Sequence, residues 1–179
     1  MASVAEHLVH QLEGAGVRHI YGIVGDSLNP VVDAVRRSKK IRWIHVRHEE
    51  TAAFAAAAEA EITGQLAVCA GSCGPGNLHL INGLYDANRS HLPVLAIASH
   101  IPTSQIGTGF FQETHPDRIF DECSVFSEMI SSSEQVPRVT RSAIQQALSN
   151  HGVAVLTLPG DIADMEVSGN LPDTLTSPR

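Results

Sequence analysis

A chain of 179 residues with 43% hydrophobic and 17% charged residues has ordinary globular composition, enough for one domain with a core of its own and too apolar for disorder. Its formal net charge of −7, from 12 Lys+Arg against 19 Asp+Glu, argues against a general nucleic-acid binder, which needs a basic excess. Three cysteines, Cys69, Cys73 and Cys123, are an odd number without a Cys-x-x-Cys pair, which suggests neither a disulfide framework nor a zinc site and fits a reducing cytosol.

Val4, Leu8 and Leu12 share one helical face, and Gly14 and Gly16 end that helix. No charged-then-apolar leader precedes it, because Glu6, His7 and His10 interrupt the start. His19 to Val24 reads as a first strand. Gly25 to Asn29 then turns sharply into a helix from Pro30 to Arg37, with Ser27 or Asn29 as candidate caps. The basic residues Arg36, Arg37, Lys39, Lys40, Arg42 and Arg47 lack interleaved aromatics, so they read as a solvated helix end.

Ile41 to Val46 is a second strand and Glu49 to Glu61 an alanine-rich helix, so Glu49 and Glu50 stand at a strand-to-helix junction. Gln65 to Ala70 is a continuous apolar run, as expected of a strand covered on both faces. It leads into the glycine-dense loop Gly71-Ser72-Cys73-Gly74-Pro75-Gly76-Asn77 and a helix from Leu78 to Asn88. Pro93 to Ala98 is a fourth strand, and Ser99 to Pro116 a long polar connection of the kind that is usually functional or mobile. A weak strand at Ser124 to Ile130, a helix at Ser133 to Asn150 and a strand at Val153 to Leu158 complete the pattern. No apolar run approaches the ~18 residues of a membrane span. Residues 1–165 are expected to form the domain, and the polar residues 166–179 a linker.

Strands alternating with helices imply an α/β, doubly wound fold: six strands in a mostly parallel sheet with helices on both faces. Ligands in such sheets bind outside the carboxyl ends of the strands, where the glycine loops and the glutamates gather. Gly74-Pro75-Gly76 does not complete Gly-x-Gly-x-x-Gly, and neither a P-loop nor a Gly-x-Ser-x-Gly elbow occurs. Cys73 is either a reactive thiol or, more simply, a small residue filling a tight turn. Glu49 and Glu50 are either surface residues favoured by a helix dipole or, given Ala52, Ala53, Ala55 and Ala56, at least partly buried. No metal-ligand spacing is present.

Tyr21 to Asn29, Arg47-His48-Glu49-Glu50, the Gly71 to Asn77 loop and Phe111-Gln112-Glu113 occur in this order at consecutive rim loops. Together they resemble the N-terminal, pyrimidine-binding domain of thiamine-diphosphate enzymes, most closely the pyruvate oxidase and pyruvate:quinone dehydrogenase branch. The resemblance implies that Glu49 hydrogen-bonds the cofactor's aminopyrimidine and favours its activating tautomer. It implies further cofactor contacts at Gly25, Asp26, Ser27, Ser72, Gly74, Pro75, Gly76 and His79, with Phe111 and Gln112 on the substrate side. It implies pyruvate or a similar 2-keto acid as substrate. Magnesium and FAD would be bound by further domains, and a neighbouring subunit's diphosphate-binding domain would complete the site in a homodimer or homotetramer. On that view the chain alone is inactive. An acetolactate-synthase-like carboligase and a non-catalytic binding or assembly domain are the alternatives. The Gly-Asp-Ser-Leu-Asn run favours the oxidase.

Overall fold

A computed structural model describes residues 2–167. Six strands form one all-parallel sheet: β1 (His19–Gly22), β2 (Arg42–His45), β3 (Ala67–Gly71), β4 (Val94–His100), β5 (Phe126–Met129) and β6 (Val153–Pro159). Their order is β2-β1-β3-β4-β6-β5. Every residue of β3, β4 and β6 is buried, which accounts for their unbroken apolar sequences. β2 and β5 lie at the edges and keep exposed positions. The chain winds from β1 outward to β2 and then returns to place β3 on the other flank of β1. The sheet's switch point therefore lies between the carboxyl ends of β1 and β3, under the Gly25 to Leu28 and Gly71 to Asn77 loops.

Helices cover both faces. On one side, α1 (Val4–Gly14), α2 (Asn29–Ser38), α6 (Val136–Asn150) and the short α7 (Gly160–Asp164) share a core centred on Leu8, Leu12, Ile20, Leu95 and Leu156. On the other, α3 (Glu49–Thr63), α4 (Pro75–Arg89) and the four-residue α5 (Pro116–Ile119) pack around Leu80, Leu84, Phe120 and the alanines of α3. In α3 the buried residues Glu49, Ala52, Ala53, Ala56, Ala57 and Ala60 recur at helical spacing and form one stripe. Its outer side is not covered: Phe54 and Ile62 are exposed. Gly64, in the left-handed conformation, ends the helix.

Several boundaries differ from the sequence reading for identifiable reasons. Pro75, Gly76 and Asn77 belong to the first turn of α4, because proline suits that position and lacks only an N–H that would go unpaired. Neither Ser27 nor Asn29 caps α2; a 3₁₀ turn at Asp26–Leu28 leads into it, and the Ser27 side chain is bonded elsewhere. Half of the basic cluster is matched by carboxylates, with Arg36 and Arg37 on Asp33, Arg37 also on Glu6, and Lys40 on Glu13. At the far end, Ser3 and Glu166 form an antiparallel bridge. The expected linker from 168 onward lies outside the described residues. No helix among the described residues is long and apolar enough to cross a membrane.

Candidate active site

Because all six strands run in one direction, the loops after β1, β2, β3, β4 and β6 open on one rim. Two of them, after β1 and β3, are tied to each other and to the end of β4 by a short polar network. Ser27 Oγ accepts the Cys73 N–H at 3.1 Å and lies 3.0 Å from Ser72 Oγ. Ser99 Oγ donates to the Ser27 carbonyl at 2.7 Å, and Asn77 Nδ2 donates to the Ser99 carbonyl at 2.7 Å. Gly25 packs so closely on Ser72 that a Cβ there would lie 2.5 Å from Ser72 Oγ. The loops after β1 and β3 thus meet over the switch point.

The glutamates diverge. Glu49, the first residue of α3, is 8% exposed, while Glu50 is half-buried. Glu49 Oε2 accepts from His79 Nδ1 at 2.9 Å. Its Oε1 faces Gly76, 3.2 Å from where a Cβ on that glycine would lie. Glu50 instead accepts from Asn82 Nδ2. Residues 79 and 82 lie one turn apart on α4 and turn the same face to α3, so two polar struts join the starts of these helices. The positive end of the α3 dipole favours the carboxylates there.

A cleft of about 710 Å³ lies on the far side of the glycine loop. Asp26, Ser27, Cys73, Phe111 and Gln112 line it; Glu49, Gly76 and His79 do not. The loop is a wall between the two. On the Glu49 side stands Gly76. On the cleft side stands Gly74 at φ +69°, where a Cβ would meet the Gln112 carbonyl at 3.0 Å. Phe111, 84% exposed, projects beside Gln112. So Gly25, Ser27, Ser72, Gly74 and Gln112 are brought together, Glu49, Gly76 and His79 form a second group across the loop, and Pro75 lies exposed between them.

Some contributors carried no signal in the sequence. His100 lines the cleft at the end of β4, and burial lowers its affinity for a proton. The long connection after β4 is latched at two points. Asp161, on α7, accepts both the N–H and the hydroxyl of Thr103. Burial pushes the Asp161 carboxyl up, but these bonds outweigh it and hold it below the usual range. Glu113 accepts the N–H groups of Gly107 and Gly109, which hold its carboxyl low as well. Both latches join residues distant in sequence or hidden in an irregular loop, and no periodicity announces them. All three cysteines are free and buried, and burial pushes the Cys69 thiol up to about 12 and Cys123 to about 11.

A carboxylate that is buried at a helix start, with one oxygen held and the other facing a glycine, can exchange a proton with a group brought against that glycine. Among the described residues no cluster of three His, Cys, Asp or Glu side chains could hold a metal ion.

The family model described as thiamine pyrophosphate enzyme, N-terminal TPP binding domain, matches residues 2–120. A 42.6 kDa uncharacterized protein in the isoamylase 3′ region of Pseudomonas amyloderamosa is 62% identical over 160 residues, covering 89% of this chain and 40% of that protein. Pyruvate oxidase of Lactiplantibacillus plantarum is 41% identical over 156 residues, 87% of this chain and 26% of that enzyme. The acetolactate synthase isozyme 1 large subunit of Escherichia coli is 35% identical over 159 residues, 88% of this chain and 28% of that subunit. The chain therefore spans between 26% and 40% of the length of these curated relatives.

Proposed function

Since the chain belongs to the thiamine pyrophosphate enzymes as their N-terminal TPP-binding domain, we propose that it supplies the proton-handling half of a site for decarboxylating pyruvate or a similar 2-keto acid. The observation that carries this reading is the buried Glu49 at the start of α3, held by His79 on one oxygen and facing Gly76 with the other. The residues present fit the group. Gly76 has no side chain to fill the space beside Glu49 Oε1, so a flat ring can approach the carboxyl directly.

When bound, thiamine diphosphate supplies the carbon nucleophile and the electron sink that a 2-keto acid needs to lose carbon dioxide. This chain's share is narrower. Glu49 holds or releases a proton at Oε1 against the ring nitrogen of the aminopyrimidine, near the dipole of α3. Gly25, Asp26, Ser27, Ser72, Gly74, Pro75 and Gly76 form the wall, and the Ser27 network keeps it rigid. Phe111 and Gln112 present the substrate side. The diphosphate, magnesium and FAD are assigned to polypeptide outside this chain, in a neighbouring subunit of a homo-oligomer for the first two.

The oxidase branch is preferred, with electrons passing to a quinone or another acceptor. Identity to the pyruvate oxidase is 41%, against 35% to the synthase. A carboligase is the second reading, favoured by matches to acetolactate synthases that cover up to 97% of the chain. The two are separated by supplying the protein, in its full reading frame, with pyruvate, thiamine diphosphate, magnesium, FAD and an artificial electron acceptor. Pyruvate-dependent reduction of the acceptor supports the oxidase. Accumulation of acetolactate without reduction assigns the chain to the carboligases, and neither product would leave a binding or assembly role.

A further inference from the structure

His79 is the only described side chain bonded to Glu49, yet its own side chain is 44% exposed. A hydrogen bond from so exposed a ring orders a partner weakly unless a second contact orders the ring. The ring of His48 does so. It stacks on His79 with centroids 4.3 Å apart and planes inclined by 26°. His48 is itself anchored, because it is the N-cap of α3 and its Nδ1 accepts the Glu50 N–H at 3.3 Å. The same Nδ1 lies 3.9 Å from Glu50 Oε2, too far for a hydrogen bond, so the backbone contact defines its role. An accepting Nδ1 carries no proton, which leaves the His48 proton on Nε2. His79, in contrast, must keep a proton on Nδ1 to donate to Glu49.

We propose that His48 is a positioning residue: stacked on His79, it keeps that ring's Nδ1–H on Glu49 Oε2 and so leaves Oε1 turned to Gly76. This rests on the role given to Glu49 above. The cap fixes His48, the stack fixes His79, and the hydrogen bond fixes the carboxylate. The chain of contacts runs between α3 and α4, parallel to the Glu50–Asn82 strut.

Two variants separate the cap from the stack. His48→Asn keeps a good N-cap and removes the ring; His48→Phe keeps a ring and removes the acceptor. In alkaline buffer, where imidazoles are neutral, ¹⁵N NMR of the 179-residue chain reads which His79 nitrogen bears the proton. The Nδ1–H form is expected in the parent and in His48→Phe. In His48→Asn the signals move toward the Nε2–H form usual in water. Thermal melting is expected to show the reverse, with His48→Phe lowered by about 2–4 °C and His48→Asn unchanged. In the protein's full reading frame, kcat falls about 10-fold or more in His48→Asn, with the KM for the keto acid nearly unchanged. An unaltered His79 tautomer in His48→Asn, or its loss in His48→Phe, overturns the proposal. Those NMR outcomes do not depend on catalysis, so they are distinct from a failure of the Glu49 reading, which would appear as full activity in Glu49→Gln.

Discussion

At the residue scale, the site depends on small groups whose replacement has calculable consequences. Ser27 Oγ joins Ser72 and the Cys73 N–H. Ser27→Ala leaves that N–H without its partner and should lower stability by about 1–2 kcal/mol in urea titration. An unchanged midpoint would mean that the network does not tie the loops. Gly74→Ala should cost a similar ~1–2 kcal/mol, because φ +69° disfavours any side chain and the new Cβ would press on Gln112. These single positions were partly legible in the sequence. A glycine-dense loop after an apolar strand announces close backbone approach, and a glutamate before an alanine stripe announces a carboxyl at a packed helix start. Which glycine faces which partner was not legible, because that depends on contacts between residues distant in sequence, Gly25 with Ser72, Gly74 with Gln112 and Gly76 with Glu49.

At the element scale, α3 and α4 act as one unit. Gly83 lies where a Cβ would come within 2.6 Å of Ala53 Cβ and 3.0 Å of the Phe54 nitrogen. Gly83→Ala must therefore push the helices apart, at a cost of about 1–3 kcal/mol. Since Glu49 and His79 stand on opposite helices, the same change should also weaken their contact. A variant as stable as the parent would show that the helices adjust without strain. The central strands β3, β4 and β6 were the best-read elements, because burial on both faces leaves an unbroken apolar run. Helix starts were read less well. Pro75 and Gly76 look like loop residues by composition, yet they open α4, and the Leu78 N–H donates to the Gly74 carbonyl at their start. The two latches of the long connection, Asp161 on Thr103 and Glu113 on Gly107 and Gly109, follow no period and could not be read at all.

At the scale of the whole molecule, two buried histidines and two hydrogen-bonded carboxylates make the fold acid-sensitive. Burial holds the imidazoles of His7 and His100 below their ordinary proton affinity, so the folded state keeps them neutral. The unfolded chain takes up those protons below about pH 6.5, and the folded chain only at lower pH, so stability falls as the pH drops through that range. Asp161 and Glu113 have lowered carboxyls; their contribution is complete above the unfolded value of about 4 and is lost as the pH falls through the still lower folded values. Melting temperature should therefore decline from pH 7 to pH 5 and more steeply below pH 4. A flat profile down to pH 4.5 would contradict the buried neutral state of the two histidines.

The most direct test of the central claim is turnover of the Glu49→Gln variant, beside the parent, in the full reading frame with pyruvate, thiamine diphosphate and the other cofactors. Glutamine keeps the size and the contact with His79 but cannot exchange a proton. Glu49 as the proton-handling group predicts a loss of kcat of about 100-fold or more, with the folded structure retained. A variant within twofold of the parent would contradict it.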